Sequence, residues 1–362
     1  MSRSVLLAGY DSGPTVEELP VGPPVAGGAL ARIDAATVCG TDVHITDGTF
    51  EHLARLPLVL GHEGTGTVIE LGEGLERDAL GEPLRPGDRI VWAHNWCGRC
   101  YSCAVAKQPT LCENTMGYGW GPYDGTSING TFSEHLHVSA DSRILRVPEG
   151  VSSPLASAAT CALRTVMHAL DRAGRVRFSD SVVVLGAGPV GVLAAAAATA
   201  AGAHRVILIG APASRLAATA GWELAARIDI DATTPAERIE HVRDLTGGRC
   251  ADLVLECAGP PNAFTEGIEM LRRGGVLMVV GQAHGQTVPV DTTRLKVRQQ
   301  TVLTSLSADI SHYHDALRFL ERHADRLDLE AAVCSDTYTL DRVGEALTTM
   351  RAGAEMKPVI LP

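Results

Sequence analysis

The chain has 362 residues, 45% hydrophobic and 20% charged, which is enough apolar material for two globular cores. A net charge of −11 speaks against nucleic acid as a partner, because phosphate backbones are met by basic faces. The longest small-apolar run, "VGVLAAAAATAAGA", falls short of a membrane span, and the opening apolar run is too short for an export signal. A cytoplasmic protein with no membrane partner is expected.

Residues 1–155 carry short β-branched runs ("GTGTVIEL", "GDRIVWA", "FSEHLHV") between glycines and prolines, which predicts a domain of strands and turns. At "SSPLASAATCALRTVMHAL" the period becomes helical. Strands and helices then alternate: "SVVVLG", an Ala-rich helix, "RVILIG", a second helix, "ADLVLECAG", "GGVLMVVG" and "TVLTSL". That alternation predicts an α/β domain over 156–306 with a doubly wound parallel sheet. Residues 307–362 read as a helix, a strand and a return segment that rejoins the first domain.

In "SVVVLGAGPVGVLAAAAA", Gly186, Gly188, Pro189, Val190 and Gly191 follow a buried strand and open a helix. Gly186 allows the tight turn, Gly188 admits a pyrophosphate close to the backbone, and Gly191 lets the helix pack on the sheet. The helix start then offers N–H groups to phosphate. A nicotinamide dinucleotide, NAD or NADP, is the expected cofactor. The acid that would grip the adenosine ribose belongs at the end of the second strand, where Gly210 stands, followed by Ala211 and Pro212. With no carboxylate there, and with Ser214 and Arg215 nearby, NADP is expected to be accepted at least as well as NAD.

Cys97, Cys100, Cys103 and Cys112 crowd into "CGRCYSCAVAKQPTLC". In a reducing cytoplasm such clusters bind metal more often than they form disulfides. Four thiolates close a tetrahedral zinc and leave no position for substrate, so this stretch reads as a staple. An open site needs fewer protein ligands. Cys39 in "CGTDVH", His62 and Glu63 in "GHEGTG", and Cys161 in "ATCALRT" offer one. Taken singly, each residue reads equally as a core side chain.

Together "CGTDVH", "GHEGTG", "PGDRI", the four-cysteine lobe, "GTFSEH", "VLGAGPVG" and the closing "KPVI" make the chain similar, nearly end to end, to the zinc-dependent medium-chain alcohol dehydrogenases. The resemblance implies a GroES-like catalytic domain carrying two zinc ions, followed by a Rossmann domain. It implies Cys39, His62 and Cys161 as catalytic zinc ligands with Glu63 beside the metal, and Cys97, Cys100, Cys103 and Cys112 around a structural zinc. Thr160 stands where the polyol-type members carry a glutamate ligand, which favours the cysteine form. Thr41 matches the hydroxyl that takes the substrate proton, His44 the base that passes it outward, and Asp42 the carboxylate that orients the histidine ligand. Lys357 falls where a cation meets the cofactor pyrophosphate. Cys250, Cys257 and Cys334 match no ligand position. The implied partner is a small alcohol or carbonyl compound, and the implied assembly a homodimer or homotetramer.

The implied reaction is hydride transfer between an alcohol and NAD(P). A ketone or aldehyde reductase is the same chemistry in reverse, a zinc-free reductase would lack the Cys39/His62/Cys161 set, and a non-catalytic zinc protein would not need the glycine loop. Gly40 and "CGTDVH" resemble the polyol branch, and the loop "MGYGWGPYDGTSING" mixes aromatic and polar groups suited to a substrate cleft. A polar secondary alcohol, such as a cyclitol, a polyol or another biosynthetic intermediate, is the expected substrate.

Overall fold

The computed structural model describes residues 1–115, 117–174, 176–281 and 285–362. In chain order the elements begin with β1 (Ser2–Leu7), β2 (Pro14–Leu19), β3 (Ala29–Thr37), α1 (Gly40–Thr46), β4 (Leu58–Val59) and β5 (Gly64–Leu71). There follow β6 (Arg89–Trp92), α2 (Tyr101–Ala104), β7 (His135–Val138), β8 (Ile144–Arg146), α3 (Ser153–Ala158) and α4 (Arg164–Ala173). The next stretch holds β9 (Ser181–Leu185), α5 (Pro189–Ala200), β10 (Arg205–Gly210), α6 (Ala213–Ala217), β11 (Ala226–Asp229) and α7 (Pro235–Leu245). Then come β12 (Ala251–Glu256), α8 (Pro261–Met270), β13 (Leu271–Val279), α9 (Thr292–Arg298), β14 (Thr301–Thr304) and α10 (Ile310–His323). The chain closes with α11 (Leu329–Val333), β15 (Thr337–Tyr338), α12 (Val343–Arg351) and β16 (Val359–Ile360). Among the described residues no helix is long and apolar enough to cross a membrane.

Two compact units result: residues 1–161, 309–322 and 334–362 in the first, and residues 162–308 and 323–333 in the second. The C-terminal segment is thus shared between them. Residues 323–333 pack with the second unit, because Trp222 Nε1 donates to Leu327 O (2.7 Å) and α11 lies against α5.

In the first unit β3 is the spine of a seven-stranded sheet, pairing with β5, β7 and β16, all antiparallel. Its register matters for the chemistry. Ala36 lies opposite Gly64 and Thr37 opposite Val359, so Cys39, His62, Glu63 and Lys357 all emerge at one end of the sheet. Beneath that end, Leu7, Ile45, Leu58, Ile90, Phe132 and Leu136 are fully buried and hold the strand ends in place.

The second unit is a six-stranded, all-parallel sheet in the order β11-β10-β9-β12-β13-β14. Numbered within this sheet the order is 3-2-1-4-5-6, the doubly wound arrangement. β9 reads SVVVL and is buried throughout, as a strand covered on both faces must be. Order reverses beside β9, so the crevice at its C-terminal end falls on the glycine loop. The loop feeds α5, whose N-cap is Gly188 with Pro189 at the first helical position. α5 is buried along Gly191–Ala198, as expected of a helix apolar all round.

Candidate active site

Four potential ligands converge at the end of β3: Cys39, His62, Glu63 and Cys161, with donor atoms all within 4.8 Å of one another. Each arrives by a local device. Cys39 is the N-cap of α1, where Asp42 at the third helical position returns a side-chain bond to the Cys39 N–H (2.9 Å). The other Asp42 oxygen lies 2.9 Å from His62 Nδ1. The same carboxylate therefore caps the helix and orients the imidazole. With Nδ1–H donating to Asp42, the Nε2 lone pair is left for a metal.

Cys161 sits in a π-helical turn, Ala159–Leu163, between α3 and α4. Such one-residue insertions re-aim side chains inside a helix and recur at functional sites. The turn is tied to the sheet by polar contacts: Gly64 N donates to Thr160 Oγ1 (3.2 Å), and Ser157 Oγ lies 2.9 Å from Thr37 Oγ1.

Glu63 is fully buried, and its Oε2 receives Thr37 Oγ1 and Lys357 Nζ, each at 2.5 Å. Lys357 is thereby placed at the ligand cluster. Its side chain is 1% exposed, and its charge lies against Glu63 and beside the two cysteines. Burial works against the ammonium, but Glu63, Cys39 and Cys161 outweigh it and hold the Lys357 pKa above its usual range. The Cys39 thiol is held well below the usual thiol range, by the Cys161 sulfur first and then, against burial, by His62 and Lys357.

Among the described residues, His62 Nε2 and Glu63 Oε1 are buried with no hydrogen-bond partner, 3.7 Å apart. Orphaned acceptors beside two thiols are costly unless a cation joins them, and a Cys2His set with a carboxylate fits zinc with one position open.

Thr41 and His44 lie three residues apart on α1, on one face of the helix, and both are half-buried. His44 Nδ1 is 3.9 Å from Asp47 Oδ2, and its ring stands edge-on to Phe50 at 5.4 Å. Phe50 in turn packs on Trp120 at 5.6 Å, which brings the aromatic loop to the neighbourhood of His44. Met116 of that loop lies outside the described residues. Tyr118 turns instead into the core, its hydroxyl 2.6 Å from Ser142 Oγ. Sequence reasoning missed Thr37, Phe50 and the Lys357–Glu63 pair, because each gains its meaning from strand register or ring packing and not from local spacing.

The sulfurs of Cys97, Cys100, Cys103 and Cys112 form a second group within 4.8 Å. Cys97 and Cys112 sulfurs are 3.5 Å apart and those of Cys100 and Cys112 4.0 Å. Zinc–sulfur bonds of about 2.3 Å in a tetrahedron require sulfur spacings of about 3.8 Å, so the set fits a closed zinc site. N–H groups of Cys97 and Asn114 point at Cys112 Sγ and that of Cys100 at Cys97 Sγ. Backbone donors at Arg99 and Cys100 bring the Cys97 thiol down to about 6, favouring thiolate. Among the described residues Cys250, Cys257 and Cys334 join neither group.

In the second unit, Gly186, Gly188, Gly210 and Arg215 line one cavity of about 270 Å3 at the C-terminal end of β9 and β10. Gly191 is there for packing, since a Cβ would fall 1.8 Å from Gly186 O. Gly188 has nothing within 4 Å of a Cβ position, leaving its backbone open to a ligand. Gly210 departs from expectation. A Cβ there would lie 2.4 Å from Ala187 N, so no acid fits at that position, and its glycine reflects crowding by the loop. A dinucleotide fits this cradle.

Residues 13–149 match the family described as alcohol dehydrogenase GroES-like domain, and residues 189–322 that described as zinc-binding dehydrogenase. The chain is 34% identical over 351 residues to 5-exo-hydroxycamphor dehydrogenase of Pseudomonas putida, covering 95% of this chain and 94% of that one. It is 29% identical to L-threonine 3-dehydrogenase of Bacillus subtilis over 340 residues, 92% of this chain and 90% of that one. An alcohol dehydrogenase structure from Thermotoga maritima superposes with a TM-score of 0.93 at 31% identity, over 100% of this chain and 99% of the other. A zinc-binding dehydrogenase structure from Sinorhizobium meliloti, bound to NADP, gives 0.85 at 26% identity over the same shares.

Proposed function

The chain belongs to the zinc-dependent medium-chain alcohol dehydrogenases, and on that premise we propose that it transfers hydride between a polar secondary alcohol and NAD(P), with Cys39, His62 and Cys161 as the working zinc ligands. The observation that carries this reading is the convergence of two thiols, an imidazole fixed by Asp42 and an orphaned carboxylate oxygen in one buried cluster. An alcohol is a poor hydride donor and its alkoxide a good one. Zinc held by Cys39, His62 and Cys161 would supply the difference, by making the substrate hydroxyl far more acidic. A nicotinamide dinucleotide held at the glycine loop would supply the hydride acceptor or donor.

The chain's own groups do the rest. Two thiolates at Cys39 and Cys161 would offset a dication's charge and temper its hold on oxygen ligands. Asp42 keeps the His62 ring in the one orientation that presents Nε2. Thr37 and Lys357 fix one Glu63 oxygen and leave the other facing the cluster. The Thr41 hydroxyl takes the substrate proton as it gives up its own, and His44, one turn along α1, carries the released proton toward solvent.

A secondary alcohol is supported by the two relatives named above, since the 3-hydroxyl of threonine and the 5-hydroxyl of hydroxycamphor are both secondary. Gly40 leaves open space beside Cys39, with nothing within 4 Å of a Cβ position, and favours a substrate with substituents on both sides of the carbinol. Polyols and cyclitols meet that description and supply the polar groups that Thr41 and His44 suit. The test is a panel of cyclitols, polyols, simple primary alcohols and bicyclic alcohols, assayed in both directions by the absorbance of reduced nicotinamide. The highest kcat/KM should fall on a polar secondary alcohol or its ketone. Turnover confined to primary or to purely apolar alcohols would overturn the substrate class.

A further inference from the structure

We infer that three buried hydroxyls, those of Thr37, Ser157 and Thr160, are positioning residues that hold the turn bearing Cys161 at ligand distance from Cys39, His62 and Glu63. The inference rests on the reading of this cluster as the open metal site and deepens it.

Cys39 lies just past β3, and His62 and Glu63 lie just before β5, so the pairing of Ala36 with Gly64 sets the spacing of these three. Cys161 arrives differently, on the π-helical turn that follows α3. A helix laid on a sheet is not registered by the sheet's own hydrogen bonds. α3 packs against β3 and β5, but apolar contact is non-directional and leaves the helix free to slide by a fraction of a residue. A metal ligand cannot tolerate that freedom, because zinc–sulfur bonds are fixed at about 2.3 Å.

Two polar cross-links remove it, and the donor directions follow from the acceptors. Glu63 Oε2 meets the Lys357 ammonium and receives the Thr37 hydroxyl, each at 2.5 Å. The Thr37 proton is thereby committed, so Ser157 is the donor in the 2.9 Å contact between the two hydroxyl oxygens. Thr160 Oγ1 donates to Ser157 O at 2.7 Å and accepts from Gly64 N at 3.2 Å, which makes the second link. Both links start at ligand-bearing strand ends, since Thr37 is two residues before Cys39 and Gly64 is the neighbour of Glu63. Both finish beside Cys161, at Ser157 about one turn before it and at Thr160 next to it. Buried hydroxyls carry a cost unless each bond is made, so the arrangement is directional where packing is not.

The test is dialysis of the zinc-loaded protein against a graded series of a chelator, with bound zinc counted per chain. The release step missing from Cys161→Ala is that of the open cluster. Thr37→Val, Ser157→Ala and Thr160→Val should each weaken zinc at that step by roughly 10- to 100-fold, the usual effect of removing a group that orients a metal ligand. The release step of the four-cysteine lobe should not move. Thr37→Ser keeps the hydroxyl and should hold zinc as the unaltered protein does. Adding Ser157→Ala to Thr37→Val should weaken zinc no further, because both substitutions break the same contact. Unchanged affinity at the open cluster in the three single variants would overturn the inference. So would equal weakening of the lobe, which marks a general loosening of the fold, or a further loss in the double variant, which would mean that Ser157 acts apart from Thr37. Retention of both release steps in Cys161→Ala would overturn the open-site reading itself, and this inference with it.

Discussion

Lys357 and Glu63 form an ion pair shielded from solvent, against two thiols that also favour the ammonium. Removing one partner of such a pair strands the other charge, at about 3–5 kcal/mol. Lys357→Met should therefore lower the unfolding free energy by that order, read as a fall in denaturant midpoint at unchanged slope, and adding Glu63→Gln should recover most of it. A single substitution without effect would mean that Glu63 is compensated by groups other than Lys357. None of this is legible in "KPVI", because the partners are 294 positions apart and meet only through the pairing of β16 with β3. Asp42 shows the opposite case. The resemblance implies only that it orients His62, and the structure gives the one carboxylate that contact and the cap of α1 as well. Thr41 belongs to the same scale. Thr41→Ala should keep the metal content unchanged and lower kcat by roughly 10²–10⁴, the usual share of a positioned proton acceptor. Full turnover in that variant, with metal content measured alongside, would remove the hydroxyl from the proton route.

Two elements were readable from spacing alone, for physical reasons that differ. The cysteine lobe is dictated by covalent reach: α2 has four residues and none of them is buried, so nothing apolar holds the segment in shape. A metal staple is what replaces a core there. Cys103→Ser should lose one zinc per chain and loosen this lobe, while 5′-AMP binding in the second unit stays unchanged. Retention of both zincs would contradict the assignment. The glycine loop is dictated by close approach, and its neighbour Gly210 by the same crowding. Gly210→Ala should weaken NAD and NADP binding alike, because the loop itself must shift; a change confined to one of them would mean that position 210 faces the ribose after all. Other elements of the second unit were not separable in sequence. β11 reads ARID, too short and too charged to announce a strand, and it is held by pairing with β10. α7 did carry a signal, the capping box of Thr234 with Glu237 behind Pro235, but its face is mostly polar and hides the helical period.

At the scale of the whole molecule, the order of segments follows from the alternation of strands and helices, which specifies a parallel sheet and a switch point beside β9. The return of the C-terminal segment is only partly written in the chain. "KPVI" completes the sheet of the first unit through β16, whereas residues 323–333 leave for the second unit on the strength of Leu327 and the buried face of α11. The proposed function puts the chemistry at the open cluster and not at the four-cysteine lobe. Cys161 is the ligand that tests this most cleanly, since in an apolar helix it reads equally as a core residue. The measurement is zinc stoichiometry together with reduced-nicotinamide turnover in Cys161→Ala, on a secondary alcohol that the unaltered protein oxidises. Cys161→Ala should give a folded protein that keeps the structural zinc and nucleotide binding but has lost turnover. Full zinc content with turnover near that of the unaltered protein would contradict it.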